Sequence, residues 1–297
     1  MEFGGIFVGH IGNWLLKAPM NRIGIMQGRL SPPENGEIQA FPRAAWMNEF
    51  SSAAQARLDC IEWIYDEYGE DVNPLGDSKG LDLLNKLTAQ TGVLIRSVCA
   101  DYFMDKPLVR AAANERRERV GKMEWLIRQC EKIGVERIVI PFVDQSSINS
   151  AADESSVVES LTSLLPAARG ASIELHLETS LDPASFRSLL SRLPDPLIKV
   201  NYDTGNSASL GYIPTEEFGA YGNRVGSVHI KDRLLHGSTV PLENGDTDFP
   251  AVFRELRAQN YKGDFVLQVA RGPSGDEIAW AAHNLDFVLN YGLAARR

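Results

Sequence analysis

The stretches Ser172-Ile-Glu-Leu-His-Leu-Glu178 and Ile198-Lys-Val-Asn-Tyr-Asp203 decide the fold. In each, apolar and polar side chains alternate with the two-residue period of a β-strand, whose successive residues point to opposite faces. Glu174, His176 and Glu178 share one face of the first; Lys199, Asn201 and Asp203 share one face of the second. The pattern continues in residues 224–231, where Ser227 and His229 oppose Val228 and Ile230, and in residues 264–270, where Val266 and Gln268 oppose Leu267 and Val269. Amphipathic helical stretches at 183–193, 249–259 and 275–289 follow these runs. Apolar strand faces packed on helices leave the polar faces pointing into a space enclosed by the strands.

Working outward, the first half repeats the unit. Strands are expected at 22–27, 60–65, 94–99 and 137–141, and helices at 79–90, 113–133 and 155–168. Asp182 before Pro183 reads as a helix N-cap, Asp248 as another, and Gly134 as a helix stop. Eight strands alternating with helices predict an α/β fold, a parallel (β/α)8 closed barrel of the TIM type, in one domain. The 297 residues suit that size. Neither a Gly-x-Gly-x-x-Gly turn nor a Gly-Lys-Ser/Thr loop is present, which argues against a nucleotide-binding open sheet.

Composition narrows the function. A net charge of -9 speaks against nucleic-acid binding, which needs basic side chains against phosphates. Cys60, Cys99 and Cys130 have no metal-like spacing and read as reduced packing residues of a cytoplasmic protein. The apolar run from Ile6 to Leu16 is broken by Gly9, His10, Gly12 and Asn13, too short to span a membrane and unlike a secretory signal. Residues 1–19 are therefore expected to be a peripheral extension, with the barrel at 20–297.

Glu178, Asp203 and His229 fall at or near the C-terminal ends of their strands, the edge from which barrel active sites are built. Carboxylates and imidazole facing a barrel interior are costly unless they pair or bind a cation. As ligands they suit one divalent metal ion: Mn, Mg or Zn.

The segments Ile23-Gly-Ile-Met-Gln-Gly-Arg29, Tyr202-Asp-Thr-Gly-Asn206, Val228-His-Ile-Lys-Asp232 and Glu243-Asn-Gly-Asp-Thr-Asp-Phe249 resemble the xylose isomerase-like barrel superfamily. The likeness is to its sugar and sugar-phosphate isomerase/epimerase branch, including hexulose-6-phosphate isomerase-like and ribulose-5-phosphate 3-epimerase-like proteins. It implies a metal held by Glu178, Asp203, His229 and a fourth ligand at position 268, a small-molecule sugar or sugar phosphate as partner, and a homo-oligomer. It also implies proton transfer through a metal-stabilised enediolate with Glu178 as base. The family carboxylate is replaced here by Gln268. An amide oxygen can still coordinate, but it brings no charge and takes no proton. Gln268 is thus expected to weaken the site and tilt the reaction from two-base epimerisation toward one-base isomerisation.

Further candidates carry two readings each. Glu62 faces inward, and the resemblance implies a substrate hydroxyl contact. His176, one layer below Glu178, is a hydrogen-bonded barrel histidine or a substitute base. Lys231 meets a substrate oxyanion or forms a rim salt bridge. Arg29, Arg233 and Arg271 each follow a strand end, and at least one is expected on substrate phosphate. Asn206 orients the site or simply completes its turn. His10, His236 and His283 are read as bystanders. Three rival functions stand beside the isomerase: an inosose dehydratase-like lyase, an apurinic endonuclease-like hydrolase (weakened by only five histidines), and a non-catalytic sugar-binding relic suggested by Gln268.

Overall fold

A computed structural model describes residues 21–292. The extension expected at 1–19, with His10, lies outside the described residues. Eight parallel strands close into a barrel: β1 Ile23–Met26, β2 Cys60–Ile64, β3 Leu94–Cys99, β4 Arg137–Phe142, β5 Glu174–Thr179, β6 Ile198–Asp203, β7 Val225–Ile230 and β8 Asp264–Leu267. Their order around the ring is β1-β8-β7-β6-β5-β4-β3-β2. This is the expected (β/α)8 barrel. Among the described residues no helix is long and apolar enough to cross a membrane.

The alternation read from the sequence explains the layers. Leu175 and Leu177 of β5, Ile198 and Val200 of β6, and Val228 and Ile230 of β7 are all buried in the apolar core. They share it with Phe186 and Leu189 of helix Pro183–Ser191 and with Val252, Phe253 and Leu256 of helix Phe249–Ala258. Burying each such side chain contributes about 1.5–3 kcal/mol against the entropy lost on ordering the chain. The caps form as expected. Asp182 Oδ1 accepts from Ala184 N and Ser185 N, Asp248 Oδ1 accepts from Ala251 N, and Gly134 takes a φ of 73° after helix Ala113–Lys132.

Three details shape the site and differ from the expected boundaries. Ser172 does not open β5; at φ 55° it ends helix Ala151–Ala171. β8 stops at Leu267, so Gln268 is the first residue beyond it, still tied by its N–H to Ile230 O. The Asp-Thr-Gly-Asn segment is not a free turn but starts helix Thr204–Leu210, with Asp203 Oδ1 accepting from Asn206 N at 2.8 Å.

A small hairpin pairs Asp232 with Val240 and Arg233 with Thr239. The buried Asp232 carboxylate accepts from Gly245 N and Thr247 N. The Val-His-Ile-Lys-Asp strand thereby pins the Glu-Asn-Gly-Asp-Thr-Asp-Phe loop, which gives a physical reason for the two segments to occur together.

Candidate metal centre and the cavity above it

Strand register brings the predicted ligands together. Asp203 lies opposite His229 across β6 and β7, and Glu178 stands at the end of neighbouring β5. One donor atom from each of Glu178, Asp203 and His229 can be chosen so that all lie within 4.8 Å of one another. Each side chain is fixed from behind. Glu178 Oε2 accepts from Asn201 Nδ2 at 2.8 Å, and its Oε1 accepts from Asn206 Nδ2 at 2.7 Å. His229 Nε2 lies 2.6 Å from Glu62 Oε1, and both side chains are fully buried.

The Glu62 contact sets the imidazole. A carboxylate on Nε2 keeps a proton there, so in neutral imidazole the lone pair sits on Nδ1. Nδ1 is 3.2 Å from Glu178 Oε2 and 4.0 Å from Asp203 Oδ2, yet has no well-aligned hydrogen bond. A buried polar atom without a partner is uncommon. Here it faces two carboxylates at a strand edge, the geometry of a cation ligand.

Electrostatics agree. Burial opposes charge on His229, but Glu62 and Glu178 outweigh it and push its pKa up to about 10. Without a cation the imidazolium must balance the buried carboxylates. Burial also pushes Glu178 up, but His229, Lys231 and Asn201 hold it below the usual carboxylate range. Asp203 is raised, because burial and the charge of Glu178 exceed the relief from Lys231 and His229.

Above these residues a cavity of about 390 Å³ opens, lined by Glu178, Asn206, Lys231, Arg233, Gln268, Gln39 and Asp101 among others. The volume suits a small-molecule site. Lys231 Nζ lies 3.0 Å from Gln268 Oε1 and 3.3 Å from Asp203 Oδ2. Its stem crosses Gly205, where a Cβ would sit 2.7 Å from Lys231 Cγ, so the glycine makes room for that reach. Arg233 donates to Asn206 Oδ1 and to Gly237 O while still lining the cavity. Lys231, Arg233 and Asn206, expected as substrate contacts, all line this cavity.

Four expected substrate contacts lie elsewhere. Glu62 is not on the cavity wall; it is sealed behind His229. A register shift between Ile61 and Glu62 pairs it with Ser97. His176 is fully buried, with Nδ1 2.7 Å from Ser227 Oγ and Nε2 2.9 Å from Glu174 Oε2, so it is a barrel histidine and not a base at the mouth. Burial lowers its pKa, which keeps it neutral. Arg271 gives its guanidinium to Ser31 O and Ile38 O. Arg29, buried and pushed down to about 9 by burial and by Arg271, holds Val269 O and Ile38 O. Both arginines brace the loop after β1, and neither lines the cavity.

The structure adds groups that the sequence reading left without a role. Asn201, already on the inward face of β6, holds Glu178. Gln39, from an irregular loop, bridges Asp101 Oδ2 (2.7 Å) and Gln268 Nε2 (3.0 Å). Asp101 extends the inward series Ser97, Cys99 past the end of β3, a signal the alternation rule was able to carry.

Glu62→Gln leaves the cavity lining untouched but removes the charge that fixes the His229 tautomer. Divalent-metal affinity is expected to fall about 10–100-fold. Titration calorimetry with Mn2+ or Zn2+ checks this, and unchanged affinity would remove Glu62 from the site.

Comparison with known proteins places this arrangement. The chain is 24% identical over 250 residues to a Haemophilus influenzae protein named "Putative L-ribulose-5-phosphate 3-epimerase SgbU", covering 78% of this chain and 86% of that one. Its fold matches a solved L-ribulose 3-epimerase with a TM-score of 0.71 at 18% identity, over 92% of this chain and 94% of that chain. It also matches the IOLI protein, solved with a bound zinc atom, with a TM-score of 0.72 at 15% identity, over 91% and 99% of the two chains. The family model described as the xylose isomerase-like TIM barrel matches residues 50–291, so the chain belongs to that family.

Proposed function

We propose that this protein is a divalent-metal-dependent isomerase or epimerase of a sugar or sugar phosphate, with Glu178 as the base. One observation carries the reading: His229 Nδ1, buried and without an aligned partner, is set among two carboxylates at the floor of a sugar-sized cavity. An imidazole nitrogen and two carboxylates suit Mn, Mg or Zn, and Gln268 Oε1 is a neutral fourth donor. Bound there, the cation would supply positive charge to the oxygens of an enediolate.

The chain's own residues do the rest. Glu178, kept ionised and gripped by Asn201 and Asn206, removes the proton beside the substrate carbonyl. Lys231 and Arg233 place positive charge at the rim for an oxyanion or a phosphate. The buried floor of His176, Ser227 and Asn201 holds the ligand strands in register through side-chain hydrogen bonds.

Metal analysis of the purified protein, before and after Gln268→Glu, tests the site. Native occupancy by a defined ion is expected. A native site that stays empty and fills only in the variant would favour the relic. Incubation with L-ribulose, L-ribulose 5-phosphate and other ketoses in D2O tests the chemistry through deuterium uptake beside the carbonyl. Loss of water from an inosose, with no uptake from ketoses, would move the protein to the dehydratases.

Cation and proton compete for His229 Nδ1. With the metal-free imidazole at about 10, binding near neutral pH should release about one proton, and apparent affinity should rise about tenfold per pH unit between roughly pH 6 and 9. Calorimetry in buffers of different ionisation enthalpy measures the release. Zero release would mean that His229 is not a ligand.

A further inference from the structure

Glu217, on helix Pro214–Tyr221, is only 1% exposed. Among the described residues its hydrogen-bond partners are hydroxyls. Tyr202 Oη donates to Oε2 at 2.8 Å, while Ser207 Oγ and Tyr221 Oη donate to Oε1 at 2.7 and 2.9 Å. Burial pushes the carboxyl above its usual range, and the three hydrogen bonds oppose the rise. A buried carboxylate with no cation beside it is costly, and an apolar side chain would avoid that cost.

The places of its partners in the sequence give a reason for it. Tyr202 precedes Asp203, and Ser207 follows Asn206, so each partner adjoins a residue of the candidate site. On β6 the alternation turns Asp203 inward and Tyr202 outward, toward Glu217. On helix Thr204–Leu210 consecutive side chains point about 100° apart. Asn206 therefore reaches Glu178 and Arg233 while Ser207 reaches Glu217. A narrow crevice is lined by Glu178, Asp203 and Asn206 together with Ser207 and Glu217. One carboxylate ties the strand end that presents Asp203 to the helix that presents Asn206.

We propose that Glu217 is a positioning residue of this site. Through Tyr202 and Ser207 it sets the spacing at which Asp203 can take a cation and Asn206 keeps Glu178 aimed. The proposal rests on the function given above. Glu217 touches neither cation nor substrate on this account, yet it governs metal affinity and turnover. Without the tie, helix Thr204–Leu210 is free to shift against β6, and a displacement of about 1 Å is enough to cost rate. The Tyr221 bond is an internal control. It joins residues four apart on one helix and adds no link to the site.

The test combines Mn2+ titration calorimetry with deuterium uptake from D2O into L-ribulose at saturating Mn2+. Glu217→Leu removes both ties and should lower metal affinity and turnover about tenfold or more. Because that variant is able to fail at folding, Ser207→Ala and Tyr202→Phe each cut one tie alone. Each should lower both quantities at least about threefold. Glu217→Gln keeps an acceptor for Ser207 and should stay within about threefold of wild type. Tyr221→Phe should lower Tm as Ser207→Ala does, with affinity and turnover within about threefold of wild type. The role is overturned if Ser207→Ala and Tyr202→Phe match wild type, or if Tyr221→Phe is as damaging as they are. Wild type that binds no Mn2+ overturns the metal site, and this role with it. Wild type that binds Mn2+ but exchanges no ketose overturns the reaction alone, and the affinities of the variants then decide the role.

Discussion

Glu178→Gln is expected to lower turnover by about 10²–10⁴-fold, the usual contribution of a positioned base. Three consequences follow from its surroundings. Gln cannot accept the proton. It also places an NH2 group against the amide of Asn201 or Asn206, both of which now donate to Glu178, leaving a donor facing a donor. A buried polar group left unpaired costs about 1–3 kcal/mol, so the variant should also melt lower. Finally, with position 268 already neutral, Asp203 becomes the one charged ligand among Glu178, Asp203, His229 and Gln268, and metal affinity should fall. Base loss is separated from metal loss by measuring deuterium exchange at saturating Mn2+ with metal content confirmed. Exchange within threefold of wild type under those conditions would remove Glu178 as the base.

The candidate ligands were legible for a geometric reason. A two-residue period fixes which face a side chain takes, and parallel strands in register carry Glu178, Asp203 and His229 to one edge. What the period does not encode is depth and reach. Glu62 obeys the inward alternation, but His229 above it takes its carboxylate, and an expected substrate contact becomes a buried partner. Arg29 and Arg271 follow strand ends as expected, but their guanidiniums answer to carbonyls of an irregular loop that has no periodic signature. Gln39 comes from that same loop and was invisible for the same reason. Asp101 differs: its place on the inward face was readable, and only its neutral surroundings needed coordinates.

At the N-terminal end of the barrel, Asp264→Asn should destabilise the protein by about 3–5 kcal/mol while leaving the activity of folded molecules unchanged. Asp264 Oδ2 lies 2.8 Å from Arg137 Nη1 and 2.7 Å from Arg96 Nε, and the side chains of Asp264 and Arg137 are each 5% exposed. Arg96 keeps Glu136 as a second partner. Arg137 has only a long contact to Ser97 Oγ, and its Nε is already without a partner. Stranding a buried charge costs more than the pair contributes. Replacing both groups, Arg137→Met with Asp264→Leu, should therefore cost less than Asp264→Asn alone. Arg137 and Arg96 hold the Asp264 carboxyl below its usual range despite burial. Its contribution is complete above the unfolded-chain value of about 3.9 and is lost as pH falls through the lower folded value. Wild-type stability should drop across that acid window, and the Asp264→Asn protein should lack that part of the drop. Urea unfolding of the three proteins at pH 7 and through the acid range measures both effects. A loss below about 1 kcal/mol in Asp264→Asn at pH 7 would mean that water or a rearranged Glu136 reaches Arg137, and that the barrel floor is open where the ion pair between Arg137 of β4 and Asp264 of β8 closes it.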